Sequence, residues 1–168
     1  MPRLDTLSEV ERKMLQFFPC IEFETTPWAP IPKDLSQCKM ALVSTAGLHL
    51  RNDKPFVHDP YNTNFGAQHG GDQSYRVIPS SASSADILQS HVSIGFDHTA
   101  FYKDMNIAFP IERARELVEM GIIGSVSENY YSFMGGLGNL RRVIEDTGPE
   151  VAQRLKDEGV DLVFLVPI

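Results

Sequence analysis

Two stretches near the end of the chain repeat one pattern, in which an amphipathic helix is followed by a glycine and an apolar strand. The first is PIERARELVEMGIIGSVS, where Pro110 can open the helix and Gly121 can close it. The second is TGPEVAQRLKDEGVDLVFLVPI, where Thr147 and Glu150 have the spacing of a helix cap and Gly159 precedes the strand. Apolar residues at helical spacing predict the two buried faces: Ile111, Ala114, Leu117 and Val118 in the first helix, and Val151, Ala152 and Leu155 in the second.

Two such units limit the fold. Connections between parallel strands are almost always right-handed crossovers, and parallel sheets are covered by helices on both faces. We therefore predict the α/β class: an open, mainly parallel sheet with flanking helices, doubly wound in the Rossmann or flavodoxin-like manner. Binding groups in such sheets lie just past the carboxyl ends of the strands. The final strand, VDLVFLVPI, is typical of a buried strand, so a site is expected to begin at Ile168 and the sheet to lack its C-terminal part.

The chain is predicted to have two parts, residues 1–38 and 39–168. In the first, LDTLSEVERKMLQFF has helical spacing, whereas TTPWAPIPK contains three prolines that exclude regular structure. We expect a short helix and then an extended arm that Trp28 anchors. The second part is the α/β domain, incomplete at its C-terminus.

The beginning of the α/β domain mixes strands and loops. A first core strand is predicted from Met40 to Thr45, after which Gly47 allows a tight turn. SYRVIP predicts a short strand, and SSASSADILQS predicts a serine cap followed by one or two helical turns. Residues 51–74 are polar and without period, which is typical of a long functional or mobile loop.

The composition excludes several classes of protein. The 168 residues carry a net charge of −7 without any basic run, which argues against nucleic acid or an anionic membrane as partner. There is no apolar run of about 20 residues and no basic-then-apolar start, so neither a membrane span nor a signal peptide is expected, and a cytoplasmic location is predicted. Cys20 and Cys38 are too widely spaced for a disulfide framework or a zinc knuckle, and two reduced thiols are expected.

Histidines are the first candidates for chemistry, at positions His49, His58, His69, His91 and His98. The stretch SHVSIGFDHT brings together His91, Asp97 and His98, which suit zinc, iron or acid–base work. Their spacing matches no closed metal motif, so no metal is assigned. Hydrogen bonding within a loop is the commoner explanation, and substrate contact is favoured over metal.

A glycine-rich stretch, FMGGLGN, is the second candidate. Gly135, Gly136 and Gly138 precede a possible helical turn and can present backbone N–H groups to an anion. The stretch lacks the lysine of a phosphate loop, and a loop that needs positive φ is the favoured explanation. Arg141 and Arg142 beside it either bind a carboxylate or form a solvated face.

Several long stretches occur together in one order: ALVSTAGLHLRNDKPF, DQSYRVIPS, SHVSIGFDHT, DMNIAFPIERARELVEMGIIGSVSENYYSFMGG and TGPEVAQRLKDEGVDLVFLVP. From about Trp28 to Ile168 the chain resembles the selenoprotein B component of the glycine, sarcosine, betaine and D-proline reductases. The FMGG stretch is closest to the D-proline form, whereas FDHT and YYSFMG are similar to other branches. The stretch VHDPYNTNFGAQHGG is longer than the usual loop of the family, so the resemblance leaves the substrate open.

The resemblance implies a cytoplasmic oxidoreductase of anaerobic amino-acid fermentation. Such proteins use a selenocysteine, or a cysteine in some relatives, followed two residues later by a cysteine. They cleave an α C–N bond of a small amino-acid substrate that a pyruvoyl group on a partner subunit activates. A thioredoxin-like protein or a dithiol restores the reduced form, and an oligomer is expected.

The resemblance also implies a position for the redox residue. It follows the strand that VDLVFLVPI resembles, so we expect it immediately after Ile168, and no residue of the 168 is assigned as catalytic. One hypothesis is an in-frame UGA codon for selenocysteine that is read as a stop. The alternatives are that the end of the sequence was set deliberately, or that the protein is a truncated relative of the family. The fragment is expected to be inactive by itself, and the edge of its last strand to expose apolar surface and favour association.

Position at strand ends selects the residues expected to bind substrate: His49, His91, Asp97, His98, Asn129, Tyr130, Gly135 and Gly136. Two other functions remain open. One is a non-catalytic binding or regulatory subunit of the same fold, and the other is a metal-dependent enzyme that uses the His91, Asp97 and His98 group.

Overall fold

The computed structural model describes residues 4–17, 24–26, 29–56, 71–91, 98–137 and 139–168. The chain divides into two compact units, Met1–Pro30 and Ile31–Ile168. Trp28 and Cys20 lie outside the described residues, and the predicted division at residue 38 stays a prediction. Within the described part, no helix is long and apolar enough to cross a membrane.

The first unit contains the predicted N-terminal helix. A 3-10 turn, Leu4–Thr6, precedes helix α1, Glu9–Phe17. Ser8 and Glu11 form a capping box, since Ser8 Oγ accepts from the Glu11 N–H at 3.3 Å and the Glu11 carboxylate accepts from the Ser8 N–H at 2.9 Å. Two N–H groups at the start of the helix, those of Ser8 and Glu11, are thereby satisfied, which explains where the helix begins.

The second unit is a mixed, mostly parallel sheet with flanking helices, which confirms the α/β class. Its described strands are β1 (Lys39–Ser44), β2 (Leu48–Leu50), β3 (Tyr75–Pro79), β4 (Ile87–Gln89), β5 (Ser125–Val126), β6 (Asn129–Phe133) and β7 (Leu162–Val166). Its described helices are α2 (His98–Lys103), α3 (Ile111–Glu119) and α4 (Gly148–Asp157). Strand β1 is central: β7 lies parallel on one side, and β5 and β6 lie parallel on the other. Strand β3 adds to β6 in the antiparallel direction, and β2 pairs with β4 in a separate small sheet.

The two predicted helix–glycine–strand units are confirmed. Helix α3 packs Ile111 and Ala114 into the core and ends before Gly121, where φ is +70°. Helix α4 buries Val151 and Leu155 and ends before Gly159, where φ is +71°. A left-handed conformation just past each helix is where glycine costs least, so the two glycines end the helices as expected.

Two details of the second unit differ from the prediction. Thr147 does not cap α4; it ends a π-helical turn, Val143–Thr147, and its hydroxyl donates to the Gln73 carbonyl oxygen at 2.9 Å. Ala152, predicted to be buried, is exposed on the outer side of the helix. The buried stripe of α4 is therefore narrower than the sequence suggested.

The stretch SSASSADILQS was predicted to contain one or two helical turns, and this is wrong beyond its first residues. Ser83 does act as a cap, since its hydroxyl accepts from the Ala85 N–H at 3.3 Å over a short 3-10 turn, Ser84–Asp86. The chain then becomes β4, because Ile87, Leu88 and Gln89 pair with β2. Pairing with a distant strand overrides the local signal in this short stretch.

Strand β7 is present in the predicted place but is not buried. All five of its residues pair with β1, from Met40 with Leu162 to Ser44 with Val166. Phe164 is 51% exposed and Leu165 is 67% exposed. In the described structure β7 pairs with β1 alone, so its outer edge and parts of both faces lie open. The expectation of exposed apolar surface at this strand is confirmed.

Candidate functional site

The carboxyl ends of β1, β6 and β7 meet at one edge of the sheet. The Thr45 N–H donates to the Val166 carbonyl oxygen at 3.1 Å, which carries the contact of β1 with β7 beyond the ladder itself. The Gly47 N–H donates to the Phe133 carbonyl oxygen at 2.9 Å and so joins the same turn to β6. We call the residues at this edge, Thr45, Gly47, His91, Gly135 and Ile168, the strand-end site.

Thr45 holds the end of β7 in place. Its hydroxyl accepts from the Ile168 N–H at 2.8 Å and donates to the Ile168 carbonyl oxygen at 3.2 Å. A threonine side chain can do both because its hydroxyl is donor and acceptor at once. The backbone at Ile168 is thereby fixed against the end of the central strand.

His91 enters the site over a glycine. The Ser90 N–H donates to the Gly47 carbonyl oxygen at 2.9 Å, which draws the segment after β4 against the turn. Gly47 has φ of +64°, and a Cβ there would lie 3.1 Å from the backbone nitrogen of His91. Glycine is needed at this position both for its conformation and for the close approach of His91. The result is a histidine that is only 5% exposed.

Gly135 lets the imidazole of His91 reach the strand ends. A Cβ on Gly135 would lie 2.8 Å from His91 Nε2 and 2.9 Å from the Thr45 carbonyl oxygen, and it would also strike the Ile168 carbonyl oxygen. One ring nitrogen and two backbone oxygens therefore surround a single point. Any side chain at position 135 would separate them.

Burial and charge keep His91 neutral. Removal from water lowers the pKa of His91, because the charged imidazolium loses hydration, and the nearby charge of His98 lowers it further. His98 itself is placed by Gln89, whose side-chain oxygen lies 2.7 Å from His98 Nδ1. At neutral pH the strand-end site thus contains an uncharged imidazole, which can accept a proton.

Two buried serines fix the turn that follows β1. Ser44 Oγ donates to the Ala108 carbonyl oxygen at 2.9 Å and accepts from the Ala46 N–H at 3.2 Å. Ser132 Oγ on β6 accepts from the Leu48 N–H at 2.8 Å. Since backbone groups buried without a partner are costly, these hydroxyls allow an irregular turn to be buried at the edge of the sheet.

The structure brings together some of the residues predicted to bind substrate. His91 and Gly135 are part of the strand-end site, and Gly136 follows with φ of +65°. His98 acts on His91 through its charge. Asp97 lies outside the described residues. The roles of all of them stay predictions.

Three other predicted residues lie elsewhere. Asn129 and Tyr130 follow the short strand β5 but are the first residues of β6, so Asn129 is five residues before Met134 and about 16 Å from the carboxyl end of β6. Asn129 donates to the Glu158 carboxylate at 3.0 Å, and Tyr130 is fully buried with its pKa raised to about 12 by burial. His49 is buried on β2, where its Nδ1 lies 2.8 Å from the Leu50 carbonyl oxygen.

The sequence analysis missed Thr45 and Gly47 as parts of the site. Both were visible as the last residue of a core strand and as the glycine of the turn after it. The sequence does not reveal which residues contact that turn, because His91 and Gly135 are more than forty residues away along the chain.

Metal ligands do not gather in the described part of the protein. Among those residues, no three side chains of the types His, Cys, Asp and Glu stand close enough together to hold a metal ion. His91 and His98 are the described members of the predicted histidine group, and Asp97 is not described.

Residues 11–167 match the sequence profile of the family described as glycine/sarcosine/betaine reductase selenoprotein B. The chain is similar to the D-proline reductase subunit gamma of Acetoanaerobium sticklandii, with 41% identity over 138 residues, which cover 82% of this chain and 52% of that protein. No solved structure matches the chain.

More distant relatives belong to other reductase complexes. The sarcosine reductase complex component B subunit beta of Peptoclostridium acidaminophilum is 26% identical over 148 residues, and the match covers 88% of this chain and 32% of that protein. The glycine reductase complex component B subunit gamma of Symbiobacterium thermophilum is 26% identical over 153 residues, with the same coverage. The chain thus spans about half the length of the first relative and about a third of the other two.

Proposed function

Because the chain belongs to the glycine/sarcosine/betaine reductase selenoprotein B family, we propose that it forms part of a reductase subunit that cleaves the C–N bond of a small amino acid or derivative with electrons from a dithiol. The candidates are D-proline, glycine, sarcosine and betaine. The 41% identity to a D-proline reductase subunit favours D-proline.

One observation carries the proposal: the carboxyl ends of the parallel strands β1, β6 and β7 meet beside the buried His91, at the position of Ile168. In open α/β sheets this edge is where ligands bind. The proposal places the redox residue of the whole protein, a selenocysteine or a cysteine, directly after Ile168. A residue there would begin at the Ile168 carbonyl group, which Thr45 and Gly135 adjoin.

The residues of this chain fit such a neighbour. A thiol or selenol reacts as its anion, so it needs a proton acceptor and a position at which a substrate can approach. His91 is a neutral acceptor, and the missing side chain of Gly135 lets its ring approach the end of β7. When present, the selenium or sulfur anion would supply the nucleophile.

The proposal includes partners that other chains must supply. These are a subunit with a pyruvoyl group that activates the substrate, and a thioredoxin-like protein or a dithiol that re-reduces the oxidised redox residue. Subunits of reductase complexes among the relatives support such an assembly. A cytoplasmic location and an anaerobic role belong to the same proposal.

The test is an assay of the whole protein, with selenocysteine or cysteine directly after Ile168, together with the pyruvoyl-containing subunit. We expect dithiol-dependent reduction of D-proline in preference to glycine, sarcosine and betaine. The matched control carries serine at the redox position and should be inactive. If the protein reduces none of the four substrates, the proposal is wrong and a non-catalytic binding role is favoured.

A further inference from the structure

The imidazole of His91 lies in the strand-end site near Ile168, which follows β7. Its Nε2 and the Ile168 carbonyl oxygen are both close to one point, the position that a Cβ on Gly135 would occupy, and Nε2 is 2.8 Å from it. A residue bonded to Ile168 would therefore begin at the same strand end as this ring nitrogen. His91 is 5% exposed, so its ring is largely shielded from bulk water.

We propose that His91 is the acid–base residue of the strand-end site and exchanges a proton through Nε2 with the redox residue that follows Ile168. This inference rests on the proposed function, since it takes from it the thiol or selenol at that position. It adds a role for a residue of this chain that family membership does not supply.

The proton transfer is balanced within the pair. The S–H or Se–H bond breaks, an N–H bond forms at Nε2, and a chalcogen anion is left beside an imidazolium ion. The neutral ring must then carry its own proton on Nδ1, so that Nε2 has a free electron pair. No oxidant or reductant is needed for this step.

Burial and the charge of His98 both disfavour a positive charge on His91. The imidazolium ion of this step is therefore stabilised by the anion formed beside it, since a charge-assisted hydrogen bond between the two is stronger than a neutral one. Among the described residues, the titratable group whose charge acts on His91 is His98 on α2. The residues around it on the β1, β4 and β6 sides, Thr45, Ser90 and Met134, carry no charge.

Glycines preserve this arrangement at two places. Gly47 admits the backbone of His91, and Gly135 admits its ring, each at a distance that a Cβ would block. A histidine that only filled the core would tolerate a small side chain nearby by moving its ring. The close approach at both glycines instead fixes Nε2 at the exit of β7.

The experiment uses the protein with a cysteine directly after Ile168 and measures how fast iodoacetamide alkylates that cysteine as a function of pH. Mass spectrometry of peptides separates it from Cys20 and Cys38. With His91→Gln we expect the rate near neutral pH to fall about tenfold, as a rise of one unit in the thiol pKa gives while the thiol is mostly protonated. His91→Asn serves as a second replacement, and circular dichroism checks that both variants fold.

A comparison variant and a second measurement keep the result independent of folding. His98→Gln removes the charge that lowers the pKa of His91, so the titration of His91 followed by NMR should move to higher pH. In the protein without substitutions, alkylation of the cysteine should change the His91 titration, because the two groups are coupled.

The outcomes separate the inference from the proposed function. An unchanged pH profile of alkylation in the His91 variants, or a His91 titration that ignores alkylation, would overturn the inference even if the whole protein reduces D-proline. A coupled pair in a protein that reduces none of the four amino acids would support the inference and contradict the proposed reaction.

Discussion

At the scale of single residues, Gly135 determines how closely the strand ends approach His91. The substitution Gly135→Ala would place a methyl group against the Ile168 carbonyl oxygen and 2.8 Å from His91 Nε2. We expect a loss of about 1–3 kcal/mol in the free energy of unfolding, the usual cost of overpacking a buried site. Urea unfolding measures this loss, and the NMR titration of His91 should change with it.

The neighbouring Gly136 supplies the control. It has φ of +65° and no atom within 4 Å of an added Cβ, so Gly136→Ala introduces backbone strain without a collision. We expect a cost of about 1 kcal/mol and an unchanged His91 titration. If the two variants affect His91 equally, the collision at Gly135 does not position the ring.

Glu158 makes stability depend on pH. Burial alone would raise the pKa of Glu158, but hydrogen bonds from Ser127, Asn129 and Tyr131 outweigh it, and the pKa lies below its ordinary value of 4.5. The folded state thus favours the carboxylate. Its contribution is present above the unfolded-state pKa of about 4.5 and is lost as pH falls through the lower folded-state pKa.

We therefore expect Glu158→Gln to lower stability at neutral pH and to flatten the acid side of the curve of unfolding free energy against pH. Denaturant titrations at a series of pH values measure this curve. Glu119→Gln removes the same charge from an exposed position and should leave the shape unchanged. Identical curves for the wild type and Glu158→Gln would show that the three hydrogen bonds add nothing to stability.

At the scale of elements, β7 combines an open edge with exposed apolar side chains. Leu165 and Val163 point to one face and Phe164 to the other, as alternation along a strand requires. An edge of this kind favours pairing with other chains. We expect this 168-residue chain to associate with rising concentration, and Leu165→Lys to reduce the association, as measured by sedimentation velocity.

The matched control is Ile122→Lys, at another exposed apolar position that follows α3 and lies outside the strands. It should leave association unchanged, and neither substitution should alter the unfolding free energy by more than about 0.5 kcal/mol. Equal effects of both lysines would point to general charge repulsion rather than to the edge of β7.

At the scale of the whole molecule, single helices and strands could be predicted from the sequence better than the contacts between elements that are distant along the chain. Periodicity over a few turns was sufficient for α3, α4 and β1, because each buries one face or both. It failed for β4, which exists through pairing with β2, and it did not predict β6, which follows the short strand β5. The same limit applies to the site: His91 and Gly135 were candidates, but their contact with Thr45 and Ile168 depends on the sheet.

The division of the chain into parts is also a property of the whole molecule, and it gives a last prediction. The described core of the second unit begins at Met40 and contains no residue before position 31. Residues 31–38 belong to that unit and contact the rest of it: Lys33 pairs with Asp161 at 2.8 Å, Cys38 is fully buried, and the Gly124 N–H donates to the Leu35 carbonyl oxygen at 3.3 Å.

We therefore expect removal of residues 1–30 to leave the cooperative unfolding of the second unit nearly unchanged. Removal of residues 1–38 should cost about 2 kcal/mol or more, because it strips the buried Cys38 and the contacts at Gly124 from the edge of β1 and β5. Thermal and urea unfolding of the two shortened chains compare the boundaries directly. Equal stability of both would place the boundary at residue 38, where the sequence analysis put it, whereas a loss only in the shorter chain places it near residue 30.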